Sequence, residues 1–159
     1  MISERHGDLL KAQADALVNT VNTVGVMGKG VALQFKRAFP GNFKAYKRAC
    51  DAGTLELGRV FVWDAGELAG TLPRYVMNFP TKRHWKARSR IADIDAGLSD
   101  LVRVVGELGI RSIALPPLGC GHGGLEWRDV RPRIIEAFRD APDVEVFLFP
   151  PEGAPAVGI

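Results

Sequence analysis

Cysteine is scarce. Cys50 and Cys120 are the two thiols in 159 residues, too few for a disulfide framework or a self-sufficient zinc site. A reducing cytoplasm is the compartment this implies. The three histidines stand apart at His6, His84 and His122, and even with Cys120 their spacing and number are poor for a metal, so no metal and no organic cofactor is expected. No apolar run approaches the length of a membrane span, so no membrane partner is expected. The start, Met1-Ile2-Ser3-Glu4-Arg5-His6, lacks the basic-then-apolar pattern of a secretion leader. Internal repeats are absent. The end, Pro150-Pro151-Glu152-Gly153-Ala154-Pro155-Ala156-Val157-Gly158, reads as a linker or frayed terminus. Residues 1–150 are therefore expected to form one folded domain, and 151–159 a Pro/Gly/Ala-rich tail.

What remains is an ordinary globular composition. With 47% hydrophobic and 25% charged residues the chain can bury a core, which excludes wholesale disorder. A formal net charge of +3 permits an anionic ligand without demanding one. The distribution of charge says more: Lys82-Arg83-His84-Trp85-Lys86-Ala87-Arg88-Ser89-Arg90 gathers cations around one large aromatic residue.

Short apolar runs bounded by turn residues predict strands at Ala16–Val18, Val60–Trp63, Tyr75–Met77, Ser112–Leu115 and Val144–Phe149, with Ile2–His6 a weaker one. Between them lie helical spacings. Ile91, Ile94, Leu98, Leu101, Val102, Val105 and Leu108 make an amphipathic stripe, with Ser89 as N-cap and Gly109 as stop. Further helices are expected from Val31 to Phe39, from Pro40 to Gly53, and around Val130, Ile134 and Phe138. Strands alternating with helices indicate an α/β fold, a sheet covered on both faces. Ligands in such folds bind beyond the carboxyl ends of the strands.

Two glycine-rich loops stand at such positions. Gly25-Val26-Met27-Gly28-Lys29-Gly30 precedes the helix from Val31, and Gly119-Cys120-Gly121-His122-Gly123-Gly124 precedes the helix near Trp127. Glycine lets backbone N–H groups approach phosphate oxygens, and a following helix N-terminus favours negative charge. Two such loops suggest a diphosphate held from both sides. Neither is a familiar nucleotide motif. Lys29 is followed by Gly30 rather than Ser or Thr, so a Walker loop fails. Gly119, Gly121 and Gly124 fit G-x-G-x-x-G, but no second βαβ half follows.

Gly7-Asp8-Leu9, Ala16-Leu17-Val18-Asn19-Thr20-Val21-Asn22, Gly28-Lys29-Gly30-Val31-Ala32 and Pro117-Leu118-Gly119-Cys120-Gly121 resemble, in that order, the macrodomain pattern from about Ile2 to Pro150. Asn78-Phe79-Pro80-Thr81-Lys82 and Gly119 to Trp127 are similar to the macrodomains of DarG antitoxins, themselves similar to the human terminal ADP-ribose protein glycohydrolase. The resemblance implies a three-layer α/β/α fold with a mixed, mostly parallel central sheet and ADP-ribose in a cleft above it. It implies that Asp8, beside Leu9, takes the adenine amino group and that Asn22 lies near the distal ribose. The two loops, Gly28, Lys29, Gly30 and Val31 on one side and Pro117, Gly119, Cys120, Gly121, His122, Gly123, Gly124 and Leu125 on the other, would hold the diphosphate and distal ribose. Lys82 would be catalytic. DarG antitoxins reverse a DarT toxin that ADP-ribosylates thymine in single-stranded DNA, so modified DNA and a cognate DarT-type toxin are the partners implied. One departure stands out. The human glycohydrolase has a second catalytic aspartate where this chain has Gly123.

The residues themselves add chemistry. A lysine can attack an anomeric carbon if desolvation or neighbouring cations, here Arg83 and Lys86, lower its pKa. It can instead stay charged and stabilise the departing base. Arg83, His84, Trp85, Lys86 and Arg88 combine phosphate-seeking cations with stacking faces, which suits single-stranded nucleic acid. Asn19 is read as a turn former, and Trp63 and Trp127 as packing residues. Cys120 lacks a carboxylate-oriented base, so a backbone role at phosphate is expected of it rather than nucleophilic attack. The expected activity is thus an ADP-ribosyl hydrolase acting on ADP-ribosylated thymine in single-stranded DNA. The alternatives are a non-catalytic ADP-ribose reader and a hydrolase of ADP-ribosylated acidic side chains on proteins.

Overall fold

The computed structural model describes residues 1–66 and 70–154. Its strands are β1 (Ile2–Glu4), β2 (Ala16–Asn22), β3 (Phe61–Asp64), β4 (Tyr75–Lys82), β5 (Ser112–Leu115) and β6 (Glu145–Leu148). The helices are α1 (Gly30–Ala38), α2 (Pro40–Asp51), α3 (Ile91–Leu108) and α4 (Trp127–Ala137). The strands form one sheet in the order β1-β6-β5-β2-β4-β3. Every neighbouring pair is parallel except β3 with β4 at the edge, so the sheet is mixed and mostly parallel, as expected. Of the expected tail 151–159, residues 155–159 lie outside the described residues.

Side chains of a strand alternate between faces, and here both faces are apolar. Ala16, Val18, Met77, Ile113, Leu115, Val146 and Leu148 pack with α3 and α4 residues such as Ile94, Leu98, Leu101, Val130 and Ile134. Their chain neighbours Leu17, Val76, Ala114 and Phe147 pack on the other face with Leu9 and Phe35. The strands therefore read as continuous apolar runs. Each large side chain so buried contributes about 1.5–3 kcal/mol. Gly97 of α3 is where the helix meets Phe79. A Cβ there would stand 2.4 Å from the Phe79 ring.

Gly109 ends α3 in the left-handed region at φ 65°, where glycine carries no Cβ penalty. The expected N-cap does not hold: Arg90 occupies that position without a side-chain cap. Ser89 is buried instead, its N–H donating to the Gly123 carbonyl at 2.9 Å. Asn19 forms no turn. It is fully buried in β2, and its Nδ2 donates to Asn78 Oδ1 at 3.4 Å. Asn78 in turn donates to Asn42 Oδ1 at 2.8 Å and to the Phe61 carbonyl at 3.1 Å. This amide cluster ties the start of α2 to β4 and β3 and replaces much of the hydration that burial removes, with Asn19 Oδ1 left unpartnered among the described residues.

β4 runs on through Asn78-Phe79-Pro80-Thr81 to Lys82, longer than the expected Tyr75–Met77. Pro80 has no N–H to give the ladder. Val21 still pairs with Pro80, but the register then shifts and Asn22 pairs with Lys82. Irregularities of this kind re-aim side chains at strand ends, and this one falls at the carboxyl edge of the sheet.

Candidate active site

A cleft of about 450 Å³ opens at that edge. Its lining includes Asn22 from β2, Gly28 to Ala32 at the start of α1, and Thr81, Lys82 and Trp85 from the end of β4 and beyond. Pro116, Pro117 and Gly119 to Gly123 close the far side. Both glycine loops thus face one cavity, together with the lysine expected to react.

The loops offer backbone amides. Lys29 is the N-cap of α1 and makes no side-chain cap bond, so the first helical N–H groups are free to meet an anion where the helix dipole also favours it. Cys120 likewise leaves the short helical turn Gly121–Gly123 without a side-chain cap. Gly119 holds φ at 72°, and a Cβ would lie 2.6 Å from Leu125 Cδ1. Glycine is required there on both counts.

Asn22 organises the first loop. Its Oδ1 accepts from the N–H of Val24 at 3.1 Å and of Val26 at 3.3 Å, while Nδ2 donates to the Val26 carbonyl at 2.8 Å. The Tyr46 hydroxyl is shared between the Asn22 carbonyl at 2.8 Å and Oδ1 at 2.9 Å. Burial raises the Tyr46 pKa well above the ordinary tyrosine range, so the hydroxyl remains a donor at every physiological pH. Asn22 lines the cleft while its side chain is spent on holding the loop.

Lys82 Nζ donates to the Trp85 carbonyl at 2.9 Å. Its pKa lies below the usual lysine range, first because burial disfavours the ammonium and second because Lys29 repels it. The depressing cation therefore comes from the first glycine loop, not from Arg83 or Lys86 as chain proximity suggested. Trp85 is 45% exposed, stacked on His84 with ring centroids 3.7 Å apart. Arg83, Lys86 and Arg88 are at least partly exposed around them. They flank the cleft without lining it.

Burial pushes the Cys120 thiol up to about 11, with the Asp129 charge adding to the effect. It stays protonated at neutral pH and is a poor nucleophile. Gly123 packs against Ser89: a Cβ at 123 would lie 2.5 Å from Ser89 Oγ. The space a larger residue would need is taken. Arg88 lies over Gly124, where a Cβ would approach its Nε to 3.2 Å.

Four residues expected at the ligand, Asp8, Leu9, Gly124 and Leu125, fall outside the cleft lining. Asp8 is exposed, and its Oδ1 accepts from the Leu10 N–H at 3.0 Å. Leu9 is buried in the core beneath. Leu125 packs on the core and borders a shallow groove beside α4, where Arg128 and Arg133 pair with Glu126 and Asp95. Thr20, Val21, Val26, Ala32, Thr81 and Pro116 line the cleft unanticipated. Each lies close in the chain to a residue that the motifs did single out. Trp63 and Trp127 pack as expected, Trp63 against Phe39 and Trp127 on the α3–α4 core. Among the described residues no group of three His, Cys, Asp or Glu side chains is placed to hold a metal ion. No described helix is long and apolar enough to cross a membrane.

Comparison with known proteins gives this arrangement its context. The family model described as Macro domain matches residues 18–134. A protein of Mycobacterium tuberculosis named DNA ADP-ribosyl glycohydrolase is 56% identical over 153 residues, covering 96% of this chain and 43% of that protein. The chain thus spans less than half the length of this curated relative. The solved macrodomain of Mycobacterium tuberculosis DarG superposes with a TM-score of 0.92 at 55% identity, over 96% of this chain and 99% of that one. Thermosipho africanus DarTG, solved in complex with ADP-ribose, gives a TM-score of 0.88 at 35% identity, over 98% of this chain and 43% of that one. With the sheet order, the paired glycine loops and these matches together, the chain belongs to the macrodomain family.

Proposed function

We propose that this chain is an ADP-ribosyl hydrolase that removes ADP-ribose from thymine bases of single-stranded DNA, reversing a DarT-type toxin. The observation that carries the reading is Lys82, a cleft lysine whose pKa is depressed by burial and by Lys29 and whose Nζ is fixed to Trp85 beside the second glycine loop. The printed names of the relatives support the same chemistry. The amides of Gly30 to Ala32 and Gly121 to Gly123 would take the diphosphate and distal ribose. Asp8, whose Oδ2 makes no hydrogen bond among the described residues, would accept from the adenine amino group. Trp85 and His84 would stack the DNA bases, with Arg83, Lys86 and Arg88 on its phosphates. Two free thiols, Cys50 and Cys120, suit the reducing cytoplasm in which such a substrate is met.

In the reaction the bond between the anomeric carbon of the distal ribose and the thymine breaks. Its electron pair leaves with the base, and water finally supplies a hydroxyl to the carbon and a proton to the base. Lys82 acts either as a neutral amine attacking that carbon, with water then releasing the adduct, or as an ammonium stabilising the departing charge. Arginine at 82 keeps the charge and loses the nucleophile, so Lys82→Arg separates the two. The test of the reading is ADP-ribose release from a thymine-modified single-stranded oligonucleotide beside a glutamate-modified protein. Release from the DNA is the expected result; release from the protein alone, or tight ADP-ribose binding with no release from either, overturns it.

A further inference from the structure

The net charge of +3 conceals a segregation. Between Asp15 and Asp51 the chain has no acidic residue and carries Lys29, Lys36, Arg37, Lys44, Lys47 and Arg48. Between Glu67 and Asp93 it again has none, and carries Arg74, Lys82, Arg83, Lys86, Arg88 and Arg90.

The fold joins these two stretches beside the cleft. Thr23, just past β2, donates from its N–H at 3.2 Å and from Oγ1 at 3.1 Å to the Arg83 carbonyl. Two residues on, a Cβ at Gly25 would lie 3.7 Å from Lys47 Cγ, so the Lys47 stem rests on this loop. Phe43 stands one helical turn before Lys47 on α2, and the Lys36 ammonium lies 4.5 Å from its ring centroid. A connected path thus runs from Trp85 through Arg83 and the 23–26 loop to Lys47, Phe43 and Lys36. Lys36, Lys47 and Arg83 are exposed. Val24 and Val26 between them are 44% and 37% exposed, apolar surface interleaved with the cations. Asp51 pairs with Lys47 at 3.4 Å, but the two side chains are 65% and 51% exposed, so the pair is weak and yields to a phosphate.

We propose that this ridge continues the nucleic-acid surface: single-stranded DNA leaving the cleft past Trp85 crosses Arg83 and the 23–26 loop and runs onto α2 and α1 at Lys47 and Lys36. The proposal rests on the DNA reading of the cleft. Cations along the path neutralise phosphates irrespective of sequence, while Val24, Val26 and Phe43 meet base faces. Charge alone would also draw an acidic protein. Interleaved apolar groups and continuity with the stacked Trp85 and His84 favour a strand.

The experiment titrates unmodified single-stranded oligonucleotides, one long and one spanning the cleft alone, against wild type and the Lys36→Gln/Lys47→Gln variant over a salt series. Both positions are exposed, and thermal unfolding checks that the variant is folded. For the long oligonucleotide the variant binds several-fold more weakly, and the slope of log affinity against log salt falls by about 1.4, at about 0.7 for each phosphate no longer neutralised. The short oligonucleotide shows no such change, and Lys36→Arg/Lys47→Arg restores the slope. Wild-type and variant slopes that coincide on the long oligonucleotide overturn the proposal and leave the ridge to an acidic protein partner. Unmodified DNA needs no hydrolysis, so a failed release assay and a failed ridge are read separately.

Discussion

Lys82 is fastened to Trp85, its Nζ donating to the Trp85 carbonyl at 2.9 Å. The residue whose exposed indole is proposed to stack a base therefore also fixes the amine proposed to act at the bond to that base. The proposed recognition and chemistry thus share the short stretch from Lys82, the last residue of β4, to Trp85. Trp85→Ala keeps that backbone carbonyl and removes the stacking face. Affinity for a single-stranded oligonucleotide is expected to fall by about 1–3 kcal/mol, with free ADP-ribose affinity changed far less. Fluorescence titration with both ligands checks this, and equal losses for the two would contradict it.

Lys29 shifts the titration of Lys82 in a definite direction. Repulsion by Lys29 adds to burial in depressing the Lys82 pKa. If the neutral amine attacks, kcat rises with pH through the depressed value; if the ammonium stabilises charge, kcat falls there. Removing the repulsion with Lys29→Gln raises the pKa in either case, so the limb moves to higher pH. Single-turnover rates at saturating substrate across pH measure the shift, and an unmoved limb would refute the coupling.

Tyr46 supports the cleft from behind. Tyr46→Phe takes a donor from the carbonyl and Oδ1 of buried Asn22, with an expected cost of about 1–3 kcal/mol. The first glycine loop loses part of its anchoring, so ADP-ribose affinity falls as well. Urea unfolding and calorimetric titration read the two effects.

Much of this site was legible because glycine loops and their helices are local in sequence. The two loops, the stop at Gly109 and the cleft position of Lys82 all follow from short-range signals. What escaped depends on residues far apart. Asn78-Phe79-Pro80-Thr81 looks like a loop because it holds proline and polar groups, yet it is strand, since Asn42 and Asn19 from other elements satisfy Asn78. Ser89 resembles a cap by position, but the Gly123 carbonyl draws its N–H inward. The cation that lowers the Lys82 pKa is Lys29, remote in sequence and close only through the pairing of β2 with β4.

Ser89 and Gly123 account for the missing carboxylate of the second loop. Gly123→Asp places its Cβ against Ser89 Oγ, an overpacking expected to cost about 1–3 kcal/mol. Adding Ser89→Gly to that variant recovers part of the loss. Thermal or urea unfolding of the single and double variants decides, and a Gly123→Asp protein as stable as wild type would remove Ser89 from the explanation.

The central claim is that Lys82 performs chemistry in an ADP-ribose cleft. The direct measurement is single-turnover release of ADP-ribose from thymine-modified single-stranded DNA by wild type and Lys82→Ala, beside a titration of each with free ADP-ribose. Release by wild type is expected, with a rate at least about a hundredfold lower for Lys82→Ala and ADP-ribose affinities within a few-fold of each other. Equal release rates, or a loss of binding that matches the loss of rate, would contradict it.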